Sequence, residues 1–220
     1  KNKNRKSSVL RSKNPVFLSV FIAVITSTLA YYQNKYGQFS DIRGFYQMHF
    51  ADGFHHWPFS THTLKGSIQE QHPVEYPALT GLVMWLITFL VQPSQFAWQN
   101  YYQITSFFHI FLFGLVAFII SKTTKQKFAI IFAVTPAVLY SLNRNWDIWS
   151  IPTMLLAIIA FDQKRYKSSA IFLATSIATK FFPVILLFPI FIQLLKERKL
   201  RTFFHFVTLV ITSWMIINLP

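Results

Sequence analysis

The sequence predicts an all-α membrane protein: a polytopic bundle of helices with one long, folded loop after its first transmembrane helix. Three observations carry that expectation. Hydrophobic residues make up 53% of the 220-residue chain, aromatics 18% and charged residues only 13%, against roughly 25% charged in an average soluble domain. So few charges cannot cover a water-soluble enzyme of this size. Second, the apolar residues gather into long uncharged runs without the alternation of barrel strands, and backbone groups in lipid must then be satisfied within helices. Third, the net charge of +14 is unevenly spread: 16 of the 21 Lys and Arg fall in four clusters, at 1–13, 121–127, 162–167 and 196–201, each beside an apolar run. Basic residues so placed mark cytoplasmic loops, and that placement argues against a nucleic-acid partner. The absence of cysteine excludes disulfides and thiolate metal sites.

The elements follow in chain order. Residues 1–15 read as a basic cytoplasmic tail, and 16–220 as a single transmembrane domain. Val16–Tyr32 is 17 residues without a charge, about 26 Å as a helix and enough to span. It ends in bulky Tyr31 and Tyr32 with no small-residue cleavage site, so it is an anchor rather than a cleaved signal. Residues 33–77 form an outer loop. Ala78–Val91, at 14 residues, is short for a span, whereas Tyr101–Ser121 is ample. Phe128–Leu142 and Ile148–Phe161 flank Asn-Arg-Asn-Trp-Asp. Ser168–Leu195 carries Lys180 and is broken by Pro183 and Pro189, and Phe203–Asn218 closes the series.

With the four clusters inside, the inner loops carry +14 and the segments 33–77 and 143–147 carry −1, a strong inside-positive asymmetry. The chain is therefore expected to be an integral membrane protein with its amino terminus in the cytoplasm, in the plasma membrane if the source is prokaryotic. The same rule makes 78–91 a re-entrant or interfacial helix, and makes Ser168–Leu195 a hairpin turning near Lys180. The chain opens on Lys1 and stops after an apolar run, so further carboxyl-terminal helices are expected beyond it.

The outer loop is the informative segment. It holds four of the seven acids, five of the seven histidines and many aromatics, and at 45 residues it is too long for a plain connector. Asp41 lies about nine residues after the first span and is a candidate general base; a solvated loop carboxylate or a helix cap is the alternative. The histidines have no zinc-protease spacing and the six glycines form no phosphate-binding fingerprint. No cofactor is required by the sequence, although a divalent Mg²⁺ or Mn²⁺ is compatible with it.

The stretches Asp41-Ile-Arg-Gly-Phe-Tyr46, Gly53, Trp57-Pro58-Phe59 and Val74-Glu75-Tyr76-Pro77-Ala-Leu-Thr-Gly81 resemble the first outer loop of the GT-C membrane glycosyltransferases, most of all glycosyltransferase family 87. Asn145-Trp146-Asp147, Ala178-Thr179-Lys180-Phe181-Phe182-Pro183 and Asn218-Leu219-Pro220 resemble later motifs of that family. Phe59 stands where the family has Tyr and Ala78 where it has a second Pro, and family members are substantially longer.

The resemblance implies a GT-C-like fold and an inverting transfer of a sugar, mannose in the nearest relatives, from a polyprenyl-phosphate donor to a hydroxyl of a glycan or glycolipid acceptor. The outer loop, about 33–77, would be the catalytic loop on the outer face. Asp41 would take the acceptor's proton. Lys180, a cation within an apolar run and so a candidate functional group, would hold the donor phosphate, helped by Arg43 or Arg144; pairing with Asp147 or snorkelling to the surface is the alternative. Tyr46, Glu75, Tyr76, Asn145 and Asp147 are further candidates for substrate contact, with helix capping open for Asp147 and interfacial anchoring for Tyr76. The rival readings are a transporter or flippase, built on Lys180 and the prolines as a broken helix, and a non-enzymatic assembly subunit.

Overall fold

A computed structural model describes residues 14–35, 41–49, 76–92 and 94–219. The architecture is all-helical, with no strand among the described residues. Its helices are α1 Asn14–Lys35, α2 Asp41–His49, α3 Ala78–Thr88, α4 Ala97–Thr123, α5 Gln126–Val134, α6 Pro136–Ser141, α7 Ile151–Asp162, α8 Tyr166–Thr179, α9 Leu187–Lys196 and α10 Leu200–Asn218. Three of them, α1, α4 and α10, are long and apolar enough to cross a membrane. Phe17, Phe107, Phe111, Phe188 and Phe204 are each more than 60% exposed, a surface suited to lipid rather than water.

α1 and α4 pair antiparallel. Tyr31 near the end of α1 stacks on Tyr102 near the start of α4, while Val20 and Val24 lie against Gly114 further along. α1 ends and α4 begins at the same end of this pair, called the head of the bundle below. α3 lies at this end: the Tyr101 hydroxyl, in the second turn of α4, donates to the Met84 carbonyl at 3.0 Å. At 11 residues α3 is about 16 Å long, half of a bilayer core, in keeping with the re-entrant or interfacial helix expected at 78–91.

Proline breaks the next run. The stretch read as one segment, Phe128–Leu142, is two helices, because Thr135 is extended and Pro136 opens α6. Together they climb back along α1, where Asn34 donates to the Leu142 carbonyl at 3.0 Å and Asn143 donates to the Ser27 carbonyl at 3.1 Å. A 3₁₀ turn at Asp147–Ser150 then leads into α7.

α7 and α8 are antiparallel and held by small residues. The Ser169 hydroxyl donates to the Ala157 carbonyl and the Ser176 hydroxyl to the Ser150 carbonyl, both at 2.8 Å. Ala157, Ala170, Ala174, Leu173 and Ile177 fill the seam with Phe206 and Val210 of α10; small side chains let backbones approach closely. The expected hairpin within Ser168–Leu195 breaks where it should, through extended Lys180 and the 3₁₀ turn Phe182–Leu186. α8 nevertheless packs mainly against α7 and α10, not against α9. α9 turns instead onto α10, with Phe191 and Phe203 rings 5.0 Å apart.

Candidate functional site

Four of the chain's elements deliver polar side chains to the head of the bundle. α8 ends at Thr179, and Lys180 follows in extended backbone (φ −152°, ψ 137°). This corrects the expectation of a cation inside an apolar helix: Lys180 stands at a helix terminus with its side chain about one-third exposed (31%). Its Nζ lies 2.7 Å from Asp147 Oδ1, and it sits 4.8 Å from the centre of the Tyr76 ring. The pairing with Asp147, weighed in the sequence as the alternative to a donor contact, is therefore present.

Asp147 is aimed by its neighbours. The Asp147 backbone N–H donates to the Asn145 side-chain oxygen at 3.1 Å, a local turn that sets up the 3₁₀ helix. Trp146 between them is buried (1% exposed) among Tyr101 and the α3–α4 core. The carboxylate makes no capping bond to the helix it precedes, so the expected capping role falls away. Tyr76 lies half-buried at the entrance to α3, and the Thr80 hydroxyl donates to the Thr179 carbonyl, tying α3 to the end of α8. Burial, with the charges of Asp41 and then Asp147 added, pushes the Tyr76 phenol from its ordinary 10.0 up to about 12. Asp41, the first residue of α2, is exposed and lies within electrostatic reach of Tyr76.

The remaining candidates are held elsewhere. Arg43 stacks on Trp98 with its guanidinium carbon 3.9 Å from the ring centre, and Arg144 lies over Tyr140 at 4.3 Å. Tyr46 is buried against Tyr101 with ring centres 4.8 Å apart, anchoring α2 to α4. Glu75, together with the Gly53 and Trp57–Phe59 motifs, lies outside the described residues. Thr80 and Trp146 help bring the site together but are not singled out by the sequence, where a threonine in an apolar run and a lone indole look like ordinary packing residues.

The arrangement offers an exposed carboxylate, an ammonium steadied by a second carboxylate, and a phenol that keeps its proton across the physiological range. Lys has three N–H donors, so the Asp147 contact leaves donors for an anionic oxygen. No group of three or more His, Asp or Glu suited to a metal occurs among the described residues. Compared with known proteins, the chain matches no family model, no curated protein and no solved structure.

Proposed function

We propose that the chain is part of an integral membrane glycosyltransferase with a GT-C-like fold, which moves a sugar, mannose by the resemblance of its motifs, from a polyprenyl-phosphate donor to a hydroxyl acceptor with inversion. The observation that supports this best is the meeting of Tyr76, Asp147 and Lys180 at the head of the bundle, with Asp41 within electrostatic reach of Tyr76. A single displacement needs one base and one anion-holding group. Asp41 takes the proton of the acceptor hydroxyl as its oxygen attacks the anomeric carbon. The bond to the donor phosphate breaks on the opposite face, and Lys180 stabilises the departing phosphate. Asp147 keeps Lys180 in position, and Tyr76 offers a neutral hydroxyl for the sugar. Arg43, on α2 itself, contributes positive charge, and Tyr46 holds that helix in place.

Asp41→Asn preserves size and loses basicity. Measured in membranes with a radiolabelled polyprenyl-phosphate sugar and normalised to protein level, its transfer rate is expected to fall about 10²–10⁴-fold. Asp162→Asn, exposed at the far end of α7, is expected to retain full activity. An Asp41→Asn protein within a few-fold of wild type sinks the assignment of the base, and transfer from a nucleotide sugar in the absence of lipid sinks the donor class.

The break at Lys180–Leu186 favours a second reading, a transporter or flippase with a discontinuous helix at its substrate path. Substrate flux across sealed vesicles that survives Asp41→Asn but not Lys180→Ala would favour that reading over transfer.

A further inference from the structure

One face of α4 is polar where the helix is most deeply covered. Gln99, Tyr102, Thr105, Ser106 and His109 recur at helical spacings of three and four, so they share a stripe. His109 is wholly buried and lies about 18 Å along the helix from Ala97, the depth of a bilayer midplane. The stripe faces Asn143, Trp146 and Trp149 at the junction of α6 and α7, with the His109 ring edge-on to both indoles at 5.7 and 6.1 Å.

The polar atoms of this cluster are underused. Hydroxyls of Ser27, Thr28, Ser121, Thr123, Ser141 and Thr175 all donate to carbonyls three or four residues earlier in their own helices. Thr105 and Ser106, 0% and 1% exposed, make no such bond. Thr105 Oγ1, Ser106 Oγ, both nitrogens of His109, Asn143 Oδ1, Trp146 Nε1, Trp149 Nε1 and Gln99 Oε1 are all buried without a partner in hydrogen-bonding geometry. Tyr102 and Ser106 stand within hydrogen-bonding reach of each other, as do Asn143 and His109, so Gln99, Thr105 and the two indoles are the groups left wholly unmet. Buried polar groups left unmet are costly, and so many in one place point to an occupant.

The donor set says which. Two indole N–H groups only donate, two carboxamide oxygens accept, and the hydroxyls and a neutral imidazole do both. The cluster contains no carboxylate to suit a cation and no ammonium or guanidinium to suit an anion. A molecule that donates and accepts in equal measure fits, and water with two to four polar partners is that molecule. An entrance exists: a cavity of about 140 Å³ at the head of the bundle is lined by Lys35, Trp98, Gln99, Tyr102 and Gln103. Gln99 and Tyr102 belong to both the cavity and the stripe.

We propose that exchangeable water fills a polar path running from the cavity beside Lys35, along the Gln99–Tyr102–Ser106 face of α4, to a hydrated site at His109, Asn143 and Trp146. The path is independent of the proposed transfer reaction, although its mouth shares Trp98 with Arg43. Radiolytic hydroxyl labelling of the full chain in detergent, read by mass spectrometry, tests it, because radicals form on bound water and attack side chains in contact with it. Trp146 (1% exposed) is compared with Phe113 (0% exposed) in the dry α1–α4–α5 core. After correction for intrinsic reactivity, Trp146 is expected to be labelled faster than Phe113, since a bound water would touch its indole N–H and the Phe113 ring has no polar atom to hold one. Brief mixing into H₂¹⁸O before irradiation is expected to place ¹⁸O on Trp146. His109→Phe, which fills the site with carbon, is expected to bring Trp146 down to the Phe113 level while Phe161 is unchanged; His109→Gln is expected to keep the labelling. Equal slow labelling of Trp146 and Phe113 in the wild type overturns the hydrated site, and ¹⁶O alone after mixing overturns the connection to the cavity.

Discussion

Lys180 and Asp147 show how one contact constrains what a residue does. Their side chains are 31% and 41% exposed, and ion pairs that water can reach contribute about 0–1 kcal/mol to stability. Lys180→Ala is therefore expected to leave thermal unfolding in detergent nearly unchanged. Its effect on transfer should be larger: loss of a charge-assisted hydrogen bond to phosphate costs about 1.5–3 kcal/mol, roughly ten- to a hundredfold in donor use. A variant that unfolds outright but transfers normally when folded would make the lysine structural. Tyr76 offers a pH signature. Its phenol ionises near 10.0 in the unfolded chain and at about 12 in the folded one, so the folded state holds the proton more tightly. Its stabilising contribution is intact below pH 10 and lost as pH rises through about 12. Wild-type melting temperature is expected to fall more steeply across that window than that of Tyr76→Phe, and equal slopes would contradict the burial of this hydroxyl.

At the scale of elements, helix pairs depend on small residues. Ala174 is fully buried in the α7–α8–α10 seam, and forcing Leu there is expected to cost about 1–3 kcal/mol by overpacking. Ser176→Ala should cost less, about 0.6 kcal/mol, the typical worth of an interhelical hydrogen bond in a membrane protein. Gly114 behaves differently: a methyl group there would meet Val24 and Val20 at 3.7 and 3.8 Å, ordinary contact distances. Gly114→Ala is expected to be neutral or to stabilise by up to about 1 kcal/mol through helix propensity. Unfolding of the three variants in the same detergent ranks them, and a destabilised Gly114→Ala would mean that α1 and α4 approach more closely than these distances allow. The break at Lys180–Pro183 was legible, because proline disfavours a continuing helix; the one at Thr135–Pro136 lies inside a run read as a single segment. That α8 would choose α10 over α9 was not legible either, since both partners are apolar and the choice rests on fit.

For the whole molecule, the topology expected from the division of charge is open to a direct test. The Asn145 turn lies at the head and Lys125, beyond the last turn of α4, at the opposite end. The chain has no cysteine of its own, so single cysteines report cleanly. On intact cells a membrane-impermeant thiol reagent is expected to label Asn145→Cys and not Lys125→Cys; the reverse pattern would invert the topology.

The sequence by itself determined the helical class, the position of the apolar runs and the clustering of basic residues beside them. Those properties are local or additive: helices close their hydrogen bonds within four residues, hydropathy sums over a window, and charge adds along a loop. It also singled out Asp41, Tyr76, Asp147 and Lys180, because a motif or an isolated charge in an apolar run is visible without knowing its neighbours. Only the tertiary structure decided that Tyr76, Asp147 and Lys180 meet, that Lys180 stands at a helix end bound to Asp147, and that Arg43 and Arg144 rest on aromatic rings instead. It alone showed that His109 and Asn143, single polar residues in separate stretches, share one buried site. Contacts between distant segments depend on the shapes of the packed faces, and that complementarity is a property of the assembled bundle, which no window of sequence contains.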